Sequence, residues 1–170
     1  LIISKRDTYF ISKLFCEKLI QSNKNQYLIL RPHNIYGPRM GYSHVIPELI
    51  FKFKKNKNVK VFSPNHTRAF CYIDDAIHQI VQLSLNKKIN NSIFNIGNHT
   101  EEIKIYDLAK KIRNISGLKK KMTKTVITKG SPSRRLPNMT KTLSKIKKKK
   151  LIKLSEGLKK TINWYLDETS

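Results

Sequence analysis

The chain has 170 residues, 39% of them hydrophobic, with 35 Lys and Arg against 11 Asp and Glu and a formal charge of +24. That length suits one domain with a real core, and apolar residues recurring in orderly blocks exclude a disordered chain. No apolar run approaches the roughly 18 residues of a membrane span, no secretory pattern opens the sequence, and no zinc-finger spacing or RNA-binding aromatic motif accompanies the lysines. The runs Lys119-Lys120-Lys121 and Lys147 to Lys150 read as solvated faces. Neither a membrane nor a nucleic acid is therefore the expected partner, although the field favours a small anionic substrate.

In chain order, Asp7 or Thr8 can cap a helix that runs to about Ser22 and carries Tyr9, Ser12, Lys13, Cys16 and Ile20 near one face. Tyr9 and Lys13 are one turn apart, which brings phenol and ammonium together. A neighbouring ammonium favours the phenolate form of a tyrosine. Such a tyrosine can take a proton from a sugar hydroxyl while hydride leaves the carbon. The alternative is an ordinary amphipathic helix that carries both residues.

Residues 27–30 read as a buried strand that ends at Arg31-Pro32, followed by a loop broken by Gly37-Pro38 and Gly41. Loops that leave strand ends in α/β folds are where ligands bind, and Asn34 there offers an amide donor for a phosphate oxygen. A helix over 45–55 carries Pro47 in its first turn, and short strands are expected over 59–62 and 69–73. Arg68, at the edge of the second, can clamp a diphosphate in bidentate fashion. Asp74-Asp75 invite an acid/base or metal reading, but they precede a helix over 76–85, where they cap it and complement its dipole.

A strand over 92–96 ends in the turn Asn95-Ile96-Gly97-Asn98, read as structural. The spacing of Ile105, Leu108, Ala109, Ile112 and Ile115 predicts a helix that Gly117 stops. A strand over 122–127 follows, then a turn-rich segment in which Arg134 and Arg135 are either surface charge or a reach toward phosphate. Helices over 140–147 and, capped by Ser155, over 156–166 complete an alternation typical of an α/β domain. Cys16 and Cys71 have no metal-ligand spacing and read as reduced core thiols of a cytoplasmic protein. The five histidines form no zinc pattern, with His33 and His44 the two worth testing. The first residue is Leu1 rather than methionine, as in a fragment.

Tyr9-x-x-x-Lys13 with Ser12, Arg31-x-x-Asn34-x-Tyr36-Gly37-Pro38-Arg39 and His44-Val45-Ile46-Pro47 stand in a telling order. They continue with Arg68-x-Phe70-x-Tyr72-Ile73-Asp74-Asp75, Asn95-Ile96-Gly97, Arg135-x-Pro137 and Glu156-Gly157-Leu158-x-x-Thr161-Ile162-x-Trp164-Tyr165. This set resembles the NAD-dependent epimerase/dehydratase family of extended short-chain dehydrogenase/reductases, over nearly the whole chain and, by this reading, over that family's C-terminal half only. The glycine-rich GxxGxxG turn and the upstream serine or threonine of the family are not in the sequence. Asn138 stands where relatives often carry aspartate.

The resemblance implies an α/β fold: the C-terminal part of a doubly wound Rossmann-like sheet plus a small mixed α/β substrate-binding domain, with residues 1–170 forming one partial domain. It implies Tyr9 as the acid/base on the sugar, Lys13 on the nicotinamide ribose of NAD, and His33 near the nicotinamide. Asn34, helped by His44 and Val45, would touch the substrate diphosphate; Arg68 and Arg135 would hold the diphosphate or the nucleoside side. No metal is implied. The implied activity is nucleotide-sugar 4-epimerisation for polysaccharide precursors, with hydride passing from the sugar C4 to NAD and back. A 4,6-dehydratase, a glucuronate decarboxylase, or an inactive chain that only binds nucleotide sugar are the alternatives. The expected partners are a nucleoside-diphosphate sugar, an N-terminal half in cis or in trans, and, for the intact enzyme, a second copy met through the tyrosine helix.

Overall fold

The computed structural model describes residues 5–167, in which helices and short strands alternate. Helix α1 (Lys5–Ser22) leads to strands β1 (Leu28–Pro32) and β2 (Ile35–Tyr36), then helix α2 (Val45–Lys55). Strands β3 (Asn58–Val61), β4 (Thr67–Ala69) and β5 (Cys71–Tyr72) precede helix α3 (Ile73–Ser84). Strands β6 (Ser92–Ile96) and β7 (Glu102–Lys104) lead into helix α4 (Ile105–Ser116). Strands β8 (Lys121–Lys124) and β9 (Arg134–Arg135) and helices α5 (Thr140–Leu143) and α6 (Leu154–Asp167) complete the order.

The α/β expectation holds at this level, and the pairing is mostly parallel. Strand β1 pairs with β6 in the register Leu30↔Phe94, β2 with β5, and β3 with β8. Strand β4 is shared between antiparallel β7 and parallel β9, with Arg68 opposite both Ile103 and Arg135. Parallel partners need crossover connections, and α2 lies in the one between β2 and β5.

Apolar spacing decides what is buried. Ile46, Ile50 and Phe53 of α2 meet Leu108 and Ile112 of α4 and Leu158 of α6 in one core cluster. A second, smaller cluster joins Phe94 and Ile96 of β6 to Ala76 and Leu83 of α3. Gly157 lets α6 close on this framework: a β-carbon there would fall on the Tyr36 hydroxyl and 2.7 Å from Tyr72 Cδ2. Those two rings stack edge to face at 5.5 Å. Gly117 ends α4 in the left-handed conformation, φ 70°, as its place after Ser116 requires.

Several boundaries differ from the sequence reading. Helix α1 already runs at Lys5, so Asp7 lies in its first turn and complements the dipole rather than capping it; residues 1–4 lie outside the described part. The strand expected over 69–73 breaks at Phe70, because Thr67–Ala69 joins one sheet and Cys71–Tyr72 another. Helix α3 starts at Ile73 with Tyr72 at its cap position, so Asp74 and Asp75 are first-turn residues rather than caps. Buried Asp75 instead accepts a hydrogen bond from the Ile152 amide at 2.7 Å and pairs with Lys149 at 3.3 Å, fastening the approach to α6. Ser155 is inside α6 rather than ahead of it. Helix α5 is a single turn, and β8 stops at Lys124. Among the described residues no helix is long and apolar enough to cross a membrane.

Candidate functional site

A cavity of about 1020 Å³ opens between α1, the turn after β1, the start of α2, the β3–β4 connection and the segment leading to β9. Tyr9 and Lys13 line it from α1, His33 and Asn34 from the turn after β1, and His44 and Val45 from the start of α2. Arg68 and Arg135 line it from β4 and β9. These eight residues, proposed from the sequence as catalytic or binding, thus reach one space although they come from segments more than a hundred positions apart; Ser12, Asp74, Asp75 and Arg134 do not line it.

Each is placed by its own local chemistry. The Tyr9 ring is 67% exposed, and the Lys13 ammonium lies 5.6 Å from its centroid, over the ring. Ser12 turns back to donate to the Tyr9 carbonyl. His33 is held by its backbone, whose N–H donates to the Ile96 carbonyl at 2.8 Å, and its Nε2 lies 3.2 Å from Asn95 Oδ1. Asn34 occupies the left-handed region at φ 45°, which asparagine tolerates. Its amide donates to the Ala69 carbonyl at 2.9 Å, so one of its two N–H donors is spent on the fold. His44 is at the cap position of α2 without a side-chain cap bond, and the first N–H groups of that helix have no intrahelical acceptor.

Below the cavity, Gln79 locks the turn after β6: its Nε2 donates to the Gly97 carbonyl at 2.9 Å and its Oε1 accepts from the Gly97 N–H at 3.0 Å. A β-carbon on Gly97 would press on Pro137 and on the His33 side chain, at 3.1 and 3.3 Å. Glycine is needed there for that close approach.

The lining is strongly cationic. Lys13, Lys52, Lys60, Arg68 and Arg135 face it against Asp7 and Glu48, and Glu48 is already paired with Lys52 at 2.5 Å. Burial lowers the basicity of Arg68, and the neighbouring charge of Arg135 lowers it further. A cavity that holds two guanidinium groups close together favours an anion between them.

The sequence reading missed Phe62, Lys60, Ser63 and Ser131, which also line the cavity. Phe62 is 44% exposed there, with the Lys52 ammonium 5.2 Å from its ring centroid. The available signal was alternation: Val59 and Val61 are buried, so Lys60 and Phe62 fall on the open face. An exposed aromatic at the end of a strand beside a cavity can stack a planar base.

Residues 2–97 match the model of the NAD dependent epimerase/dehydratase family. The chain is 30% identical over 173 residues to a UDP-N-acetyl-alpha-D-glucosaminuronate decarboxylase of Bacillus cytotoxicus, covering 94% of this chain and 53% of that protein. It is 34% identical over 120 residues to a dTDP-D-glucose 4,6-dehydratase of Dictyostelium discoideum, covering 68% of this chain and 27% of that protein. Its fold is similar to UDP-glucuronic acid 4-epimerase of Bacillus cereus, solved with UDP-glucuronic acid and NAD, at a TM-score of 0.84 and 24% identity; the match covers 99% of this chain and 54% of that one. The chain thus spans about half the length, or less, of these relatives. The expectation of a C-terminal half only is overturned: the family match falls on residues 2–97, the part holding the parallel Rossmann-type strands β1, β2, β5 and β6, and the solved structure matches there too.

Proposed function

Because this chain belongs to the NAD dependent epimerase/dehydratase family, we propose that its cavity binds a nucleoside-diphosphate sugar and that Tyr9 moves the proton of the sugar C4 hydroxyl, as in a 4-epimerase. The supporting observation is the convergence of Tyr9, Lys13, Asn34, Arg68 and Arg135 on one cationic cavity. Arg68, Arg135 and the amide ends of α2 would hold the diphosphate, with Asn34, His44 and Val45 beside them. Phe62 would stack the base.

Tyr9, Lys13 and His33, which line the same cavity, fit the nicotinamide-ribose end of NAD, whereas no GxxGxxG turn for its pyrophosphate occurs in the sequence. When bound, NAD supplies the acceptor for the C4 hydride. This chain's part is to orient the sugar and hold its proton: Tyr9 would receive it, with Lys13 over the Tyr9 ring on the nicotinamide-ribose side.

Turnover of UDP-glucose with added NAD, followed by NMR, should fall by roughly 10²–10⁴ in Tyr9→Phe, with affinity for UDP unchanged. Full activity in that variant would overturn Tyr9's role. Failure of the wild type to bind UDP would overturn the reading itself. The decarboxylase and dehydratase named among the relatives favour a second outcome after the same C4 oxidation. Carbon dioxide released from UDP-glucuronate, or a 4-keto-6-deoxy product from dTDP-glucose, would identify it.

A further inference from the structure

Away from the cavity, helix α3 leaves one apolar side in water. Its inner side is buried: Ala76 and Leu83 join the cluster around Phe94, while Asp75 and Gln79 are bonded to main chain. Its outer side carries Ile77, Val81 and, at the C-cap, Leu85, four residues apart and 50, 45 and 76% exposed. Side chains at that spacing stand above one another on a helix, so the three form an aliphatic ridge. None of them lines the cavity.

A row of lysines is fastened beside that ridge. Residues 140–153 hold seven lysines and no carboxylate. Asn86 Nδ2 donates to the Lys145 carbonyl at 3.3 Å, the Lys147 N–H to Gln82 Oε1 at 3.4 Å, and the Ile152 N–H to Asp75 Oδ2 at 2.7 Å. Ile146 packs against the cluster that holds Leu83. The segment therefore runs antiparallel to α3. Gln82 and Asn86 immediately follow Val81 and Leu85, so it lies on the flank next to the ridge, and Lys87 and Lys88 follow the end where Asn86 holds Lys145. Lys149 pairs with Asp75 at 3.3 Å. Lys145, Lys147, Lys148 and Lys150 are exposed and enter no ion pair among the described residues. By sequence the run 147–150 is a solvated face; the fold gives it a fixed seat beside an apolar one.

We propose that this face, the outer side of α3 with residues 145–150, docks on an anionic lipid surface: Ile77, Val81 and Leu85 enter the headgroup boundary, and the lysines meet the lipid anions. Charge complementarity selects the anion, because Lys87, Lys88, Lys145, Lys147, Lys148 and Lys150 stand against a single exposed carboxylate of α3, Asp74. The ridge selects lipid over nucleic acid. A duplex offers phosphate to the lysines but nothing that buries three aliphatic side chains, and α3 has no Phe, Tyr or Trp to stack a base. Three aliphatic side chains are too few to hold a bilayer without charge, so the contact is reversible and weakens with salt. The surface lies apart from the cavity and does not depend on the nucleotide-sugar reading.

Co-sedimentation of the chain with vesicles of phosphatidylserine and phosphatidylcholine, against phosphatidylcholine alone, tests this. The wild type should pellet with the anionic vesicles only and come off as salt rises. Lys147→Ala/Lys148→Ala/Lys150→Ala should weaken binding on the order of a hundredfold; Lys149 is kept because its pair with Asp75 holds the segment. Lys119→Ala/Lys120→Ala/Lys121→Ala, the same loss of charge elsewhere, should change it by less than about threefold. Val81→Ser/Leu85→Ser should weaken it about tenfold. Equal losses in the two lysine variants would mean a diffuse field and overturn the site. Unchanged affinity in Val81→Ser/Leu85→Ser would overturn the ridge's part and with it the case against nucleic acid. A wild type that stayed in the supernatant would overturn lipid as the occupant, and its retention on poly-glutamate through the same lysines would name an acidic protein instead.

Discussion

Helix α1 and the trio α2, α4 and α6 are built from the same kinds of residues and do opposite things with them. The trio seals Phe53, Ile112, Leu158 and Ile162 completely from solvent. Helix α1 leaves Tyr9, Phe10, Phe15 and Leu19 more than half exposed and Cys16 exposed rather than in the core, and one charged tie to the body is the pair of Glu17 with Arg31 at 2.5 and 2.8 Å. Apolar content is therefore no measure of a helix's share in stability. What counts is area removed from water, and α1 removes little. The cavity's acid/base candidate thus stands on the least buried helix, while the two arginines proposed to hold an anion stand on β4 and β9.

The contrast can be broken by truncation. Phe53→Ala should cost about 3–5 kcal/mol in urea unfolding, since it empties a packed core site. Phe10→Ala should cost within about 0.5 kcal/mol. Equal losses would show that α1 is as much a part of the core as α2.

A smaller effect sharpens it. Gly157→Ala adds a methyl where the Tyr36 hydroxyl and the Tyr72 ring already stand. It should destabilise by about 1–3 kcal/mol through overpacking and lower the melting temperature accordingly. A neutral result would mean that α6 can slide off the aromatic pair without loss.

Acid gives the smallest change. Hydrogen bonds from Arg31, then its charge working against a modest desolvation cost, hold the Glu17 carboxyl below its ordinary 4.5. A depressed folded value means that the pair's contribution is present above about pH 4.5 and lost as pH falls below it. Arg31 is about half exposed and Glu17 partly so, and solvent screening leaves only roughly 0.2–1 kcal/mol at stake. Glu102, whose carboxyl is brought down to about 2 by hydrogen bonds from Arg134 and Thr67, follows the same sign farther into acid. Amide exchange in α1 should therefore quicken before exchange around β7 and β9 as pH drops. Glu17→Gln should make α1 exchange indifferent to that drop.

Much of this was legible in the sequence where local rules act alone. Helix α2 spans the expected Val45–Lys55, and Gly117 closes α4 where its position suggested. The site's residue types and order pointed to the family that the residue 2–97 match supports. Strands β2, β7 and β9 were not legible, because two or three residues carry no periodicity and owe their pairing to distant partners. Nor was the setting of Arg68, whose guanidinium donates to the Pro132 and Ser133 carbonyls more than sixty positions away, and a carbonyl is common to every residue. Exposure of α1 was hidden for a related reason. A stripe pattern says which side is oily, not whether anything in the chain lies against it.

The Gln79 clasp on Gly97 has a consequence of its own. It joins uncharged amide to uncharged amide, so neither ionic strength nor protons can loosen it. Conditions that strip an anion from the lysines and arginines above leave the floor beneath His33 unmoved. A ligand of the kind proposed, washed off by salt, should then return to a seat that never lost its shape.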